Sequence, residues 1–243
     1  MAHRTQLQYV RLLAETLPEF FHNCRVLEIG SLDINGSIRS FFHNCDYVGL
    51  DVADGDGVDV VCEGQKYDAP DDSFDVVISC EAMEHNPYWV ETFRNMIRLC
   101  RPGGLVVMTC ATTGRPEHGT ARTTPDASPL TVELGWNYYK NLTERDFRRA
   151  SDTAMAGLGA HRFWVNWSFY DLLFVGIKEA KLPSGSLPEP WELGTRAISA
   201  WIDRENAVKA HRYRAVMAKI FGEWWFVAMN RFLTSMNWLH WPH

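Results

Sequence analysis

The sequence predicts a doubly wound α/β fold: a mostly parallel seven-stranded sheet with helices on both faces, a terminal antiparallel hairpin and a helical C-terminal extension. Three observations carry this. Short apolar runs, often β-branched, recur with room for helices between them. The runs are continuous rather than alternating, as in strands covered on both faces. The last two are too close together for a crossover, so they must pair antiparallel.

Leu7, Val10, Leu13 and Leu17 recur at helical spacing, giving a surface helix that ends near Pro18. Strands are expected at Arg25 to Gly30, Tyr47 to Val52, Val58 to Cys62, Phe74 to Cys80 and Leu105 to Cys110, with helices over Ser37 to Phe42 and Tyr88 to Cys100. Alternation of this kind implies right-handed crossovers. Ala111 to Pro129 is polar and rich in Thr, Pro and Gly, and begins a lid loop over about residues 111–142. Thr143 with Asp146 three residues on is a helix-start signal, placing a helix from about Glu144. Phe163 to Phe169 and Leu172 to Ile177 form the closing hairpin, joined across Tyr170-Asp171. From Pro190 a helical tail rich in Trp and Arg begins, so residues 1–189 are expected as one unit and 190–243 as an extension.

With 243 residues, 46% apolar and 22% charged, the chain fits one sizeable domain carrying embellishments. A net charge of −6 and the lack of a long Lys/Arg stretch argue against general nucleic-acid binding. The N-terminal segment lacks signal-peptide character, which points to a cytoplasmic protein. Cys24, Cys45, Cys62, Cys80, Cys100 and Cys110 form no C-x-x-C pair and are expected as buried, reduced thiols. The tail stretch Phe221-Gly-Glu-Trp-Trp-Phe-Val-Ala-Met is interrupted by Glu223 and too short to span a bilayer. Its rings are expected to dock on the domain, to form a homodimer face or to touch a membrane surface.

Ligands of open parallel sheets bind outside the carboxyl ends of the central strands. The first strand ends at Gly30-Ser31, where a glycine admits close approach, and the Asp33-to-Ser37 turn, with Gly36, leads into the next expected helix and its free N–H groups. The second strand ends at Asp51, placed to accept from both hydroxyls of a ribose, with Val52 beside it for an adenine face. Cys62-Glu63-Gly64 then sets an acid where an adenine amine donates. Together these positions describe an adenosine-shaped site.

Val26-Leu-Glu-Ile-Gly30, Tyr47-Val-Gly-Leu-Asp51, Ala69-Pro-Asp-Asp-Ser-Phe-Asp-Val-Val-Ile-Ser-Cys-Glu-Ala-Met-Glu-His85 and Arg101-Pro-Gly-Gly-Leu-Val-Val-Met108 resemble the class I S-adenosylmethionine (SAM)-dependent methyltransferases, particularly the small-molecule group of the ubiquinone-biosynthesis type. The resemblance implies SAM as cofactor. It implies that Gly30 passes under the amino-acid moiety, Asp51 holds the ribose, Glu63 with Gly64 faces the adenine, Ser79-Cys80 lie near the methionine portion and Glu28 organises the first loop. One departure stands out: the usual Gly-x-Gly is replaced by Gly30-Ser31-Leu32, with the next glycine at Gly36. Asp33 or Asn35 is therefore expected to contact the cofactor ammonium or carboxylate.

Methyl transfer from a sulfonium is an in-line displacement that requires alignment, water exclusion and sometimes proton removal. His85 is near the reacting centre by resemblance and is a candidate base, or else it holds its loop through the backbone. His118 and Arg122 lie on the lid, either binding an acidic substrate group or simply solvated, and Trp136, Tyr138 and Tyr139 offer an aromatic wall or core packing. No metal set is identified, because acids alone are too common to single one out. The expected activity is methyl transfer to a polar small molecule at oxygen, such as a sugar or natural-product intermediate. The alternatives are a catalytically silent SAM-binding or assembly subunit and an NAD-dependent oxidoreductase; the missing G-x-G-x-x-G turn and the closing hairpin weigh against the latter.

Overall fold

The computed structural model describes residues 4–180 and 189–208, together with 211, 213–217 and 220. In chain order the elements are α1 (Arg4–Thr16), β1 (Arg25–Ile29), β2 (Asp46–Asp51), β3 (Val60–Val61), β4 (Phe74–Cys80), α2 (Trp89–Leu99), β5 (Cys100–Ala111), α3 (Pro129–Glu133), α4 (Glu144–Ala150), α5 (Asp152–Met155), β6 (Leu158–Asn166), β7 (Asp171–Lys178) and α6 (Glu189–Asn206). The strands form one sheet in the order β3-β2-β1-β4-β5-β7-β6. Pairs from β3 to β5 are parallel, while β7 runs antiparallel between β5 and β6. The predicted sheet, with its antiparallel closing hairpin, is the one found.

Successive strand residues point to opposite faces, and both faces are covered. Val26, Val76, Ile78, Leu105 and Val107 face α1 and α6, where Tyr9, Leu13, Trp191, Ile198 and Trp201 complete one core. Leu27, Val77, Val106, Met108 and Phe174 face the other way, against Phe93 and Met96 of α2, Phe147 of α4 and Met155 of α5. Double coverage explains why these strands read as unbroken apolar runs.

Three expectations need correction. No α-helix spans Ser37 to Phe42; the chain makes a single 3₁₀ turn, Arg39–Phe41. Six residues close too few backbone hydrogen bonds to offset helix nucleation, and the compact turn lets Ile38 and Phe42 reach the core, Phe42 stacking on Phe21 at 4.7 Å. The helix N-terminus expected to receive a ligand carboxylate after Gly36 is therefore absent. The third strand is two residues long rather than spanning Val58 to Cys62. Finally, β6 begins at Leu158 and stops at Asn166, because Asn166 Oδ1 accepts from the Ser168 amide (2.9 Å) and Tyr170 takes a left-handed φ of 58°, turning the chain before Phe169 can extend the strand.

Thr143 and Asp146 form the expected capping box at the start of α4. Trp191 and Trp201 of the tail join the core beneath α1. Trp224, Trp225, Trp238, Trp241 and the Phe221-to-Met229 stretch lie outside the described residues. Among the described residues, no helix is long and apolar enough to cross a membrane.

Phe93 sits wholly buried between Phe147 (4.9 Å) and Phe174 (5.4 Å), each edge-on. Phe93→Ala is expected to lower the unfolding free energy by about 3–5 kcal/mol, through lost transfer energy plus a cavity the locked strands cannot close. Urea denaturation measures it, and a loss below about 1 kcal/mol would show that α2 does not anchor this face.

Candidate active site

The carboxyl ends of β1, β2 and β4 open into one cleft. Its walls include Gly30, Leu32 and Ile34 after β1, Leu50, Asp51 and Val52 at β2, Cys62 and Gly64 beyond β3, Glu81, Ala82 and His85 after β4, and Ala127 to Thr131 with Trp136 from the 111–142 segment. Of the residues predicted to bind cofactor or acceptor, Gly30, Asp51, Val52, Gly64 and His85 meet here.

Gly30 has φ +84°, and a Cβ there would lie 2.5 Å from the Ala82 Cβ. The glycine is needed for contact between the ends of β1 and β4. Gly64 is held similarly, since a Cβ on it would fall 2.8 Å from methyls of both Ile29 and Thr92. Asp51 is half-buried; its Oδ2 accepts the Leu32 amide (3.0 Å) and its Oδ1 the Val52 amide (2.8 Å). Burial raises the Asp51 pKa and these two amides oppose the rise. No cation pairs with it among the described residues.

Other predicted residues sit around the cleft rather than on it. The Glu28 carboxylate is buried beneath the first strand end and accepts from the Tyr47 hydroxyl at 2.6 Å. Ser31 is buried with its hydroxyl unpartnered. Asp33 Oδ1 accepts the Gly36 amide (2.8 Å), closing an exposed turn, so Leu32 and Ile34 reach the cleft in its place. The Glu63 carboxylate is taken by Gln65 (2.7 Å) and Lys66 (2.5 Å), leaving its neighbours Cys62 and Gly64 as wall. Ser79 and Cys80 stay inside the sheet, and the two residues after them line the cleft.

Glu81, which sequence reasoning misses, is 6% exposed and holds φ +54°, a left-handed conformation costly for a non-glycine residue. Thr109 donates to its Oε1 (3.1 Å), and Arg115 lies 3.9 Å from its Oε2. An acid directly after a strand in Ser-Cys-Glu-Ala is a visible signal; its backbone conformation is not.

His85 is 2% exposed, and burial, followed by the neighbouring His118, pushes it down to about 3, so its ring is neutral. The His118 ring stands edge-on to it at 4.9 Å, and Tyr139 packs against both, at 5.6 and 5.0 Å. Arg122 is paired with Glu117 at 2.8 Å. Trp136 forms cleft wall, edge-on to Tyr88, whereas Tyr138 packs into the core under α2. Glu84, His85 and His118 bring metal-ligating atoms within 4.8 Å of one another, a grouping hidden in sequence by the distance between Glu84-His85 and His118.

The family described as "Methyltransferase domain" matches residues 1–139. No curated protein matches the chain. Among solved structures, the Haemonchus contortus phosphoethanolamine N-methyltransferase 2 in complex with phosphomonomethylethanolamine and S-adenosylhomocysteine is similar at 15% identity and a TM-score of 0.51, over 71% of this chain and 52% of that one. The same enzyme in complex with S-adenosyl-L-methionine is similar at 14% identity and a TM-score of 0.51, with the same coverage. This chain thus spans about half the length of those relatives, and the likeness is one of fold.

Two outcomes follow from the site. Gly30→Ala should cost about 1–3 kcal/mol, from the left-handed backbone and the Ala82 collision; adding Ala82→Gly should recover the collision part only, and a double variant no better than the single one would remove the contact from the explanation. Burial lifts Glu28 from 4.5 to about 6. Between those pH values the unfolded chain has released a proton the folded chain still holds, so stability falls by about 2 kcal/mol as pH rises through the window and is fully present below it. Glu28→Gln should abolish that fall in denaturation measured from about pH 4 to pH 7; parallel curves for variant and wild type would reject it.

Proposed function

The chain belongs to the methyltransferase-domain family, and on that premise we propose that it is a SAM-dependent enzyme moving a methyl group to the oxygen of a polar small molecule, a hydroxylated sugar or natural-product intermediate. The observation that carries the cofactor reading is Asp51. Its carboxylate lines the cleft at the end of β2, partly withdrawn from water and satisfied by two backbone amides without a counter-cation among the described residues. Such a group has lone pairs left for neutral donors, which the two hydroxyls of a ribose supply. Leu50, Val52, Ile34 and Leu130 give the apolar walls an adenine face requires.

SAM supplies an activated methyl on a sulfonium. The chain's own part is to align the acceptor and exclude water. Ala127 to Thr131 and Trp136 cover the cleft from the 111–142 segment. His85 is the imidazole that lines the cleft, and its neutral ring offers a hydrogen-bonding nitrogen to an acceptor hydroxyl. Oxygen is favoured over a cationic amine acceptor because, of the two acids lining the cleft, Asp51 is taken by the ribose in this reading and Glu81 is already engaged by Thr109 and Arg115.

Calorimetry with S-adenosylhomocysteine tests the cofactor reading. Wild type should bind it and ignore NAD, and Asp51→Ala should weaken binding about 10- to 100-fold, since hydrogen bonds to a charged group contribute roughly 1.5–3 kcal/mol. Unchanged affinity in the variant removes Asp51 from the site. A labelled-methyl screen of hydroxylated acceptors tests the rest, and label found on nitrogen or carbon alone refutes the oxygen assignment.

A further inference from the structure

We propose that Glu84, His85 and His118 form a binding site for a divalent first-row transition-metal ion, zinc by its donor set. One carboxylate oxygen and two ring nitrogens lie within 4.8 Å of one another behind the cleft wall. Independent of that grouping, two buried polar atoms of these residues are orphaned: Glu84 is fully buried with Oε2 lacking a hydrogen-bond partner, and His85, 2% exposed, has Nδ1 in the same condition. Leaving either so carries a desolvation penalty that a bound cation would relieve. The direction of the His85 ring is fixed by its neighbour, since a Cβ on Gly119 would fall 2.6 Å from its Cε1 and 3.0 Å from its Nδ1. That edge therefore faces the loop carrying His118.

The remaining contacts orient the ligands as outer-shell partners orient metal ligands elsewhere. His118 Nδ1 lies 3.0 Å from the Pro116 carbonyl; as the N–H donor there, it makes Nε2 the lone-pair nitrogen. Glu84 Oε1 accepts the Ala111 amide at 3.0 Å. Tetrahedral zinc at about 2.0–2.1 Å from each ligand wants ligand atoms roughly 3.3 Å apart, so the widest pair closes by about 1.5 Å at most.

Two imidazoles and a carboxylate suit zinc and its neighbours better than magnesium, and three protein ligands leave a fourth position open. When bound, the ion would be a Lewis acid toward an oxygen entering from the cleft, whose wall His85 forms.

Full-length protein, stripped by chelation, is titrated with Zn²⁺ by calorimetry and with Co²⁺ by optical absorption. One ion per chain is expected, with a tetrahedral cobalt spectrum free of thiolate charge transfer. Glu84→Gln and His118→Ala should each weaken binding more than about 100-fold, beyond the range of outer-shell changes, with circular dichroism confirming the fold. His118→Cys should retain the ion and introduce thiolate-to-cobalt charge transfer, which keeps the test decisive if a variant fails to fold. No uptake, uptake undiminished in a folded variant, or a wild-type thiolate signature overturns the site. Binding of S-adenosylhomocysteine to the same preparation is read separately, so the metal site and the methyl-transfer reading can fail independently.

Discussion

Carboxylates withdrawn from water at the carboxyl edge of the sheet are the constraint on which this molecule turns. Glu28, Glu81, Glu84 and Asp171 are all at most 6% exposed, and an ionised carboxylate in such a place is tolerated only when paired, hydrogen-bonded or neutralised. Each finds a different answer. Glu28 takes the Tyr47 hydroxyl and an elevated pKa. Asp171 takes the Arg115 guanidinium, and Glu81 takes the Thr109 hydroxyl with the same arginine at longer range. Glu84 has one oxygen on the Ala111 amide and the other unpartnered. The unequal answers divide a structural edge from a chemical one.

Topology puts those residues there. Strands β1, β2 and β4 run parallel and end together, so the residue after each strand arrives at one rim. The antiparallel β7 brings Asp171 to the same end as Ala111, its register partner. Without that reversal the acid opposing Arg115 would start from the opposite edge of the sheet. The hairpin that closes the fold thereby also completes the electrostatics of the site.

The sheet was legible because its physics is repetitive: covered strands must be continuous and apolar, and a short link forces antiparallel pairing. The places of Asp51 and Gly30 on the cleft wall were legible because parallel strands end at one rim, where the last residues of each strand meet. What escaped is what depends on three dimensions at once. Ser37 to Phe42 sits between two strands where a crossover helix is expected, but Ile38 and Phe42 are drawn into the core by partners remote in sequence. Asp33 and Glu63 are acids at plausible places, yet Gly36 in one case and Gln65 with Lys66 in the other satisfy them locally. His118 meets His85 only because the loop folds back, with Gly119 at φ +63° allowing the approach.

The segment Glu81-Ala-Met-Glu-His85 shows why such a site concentrates in so few residues. Ala82 supports Gly30 and hence the first strand end; Glu81 reaches across to Thr109 and Arg115; Glu84 and His85 turn toward His118. A straight continuation of β4 would send alternate side chains to opposite faces of the sheet, and these contacts would not be made from one turn. The left-handed backbone at Glu81 breaks that alternation, and the Met83–His85 3₁₀ turn that follows keeps the next residues at the rim. Strain at one residue is thus the means by which a single strand end serves both halves of the cleft, and the buried Glu81 carboxylate, held by hydroxyl and guanidinium, is what keeps that strained turn in place.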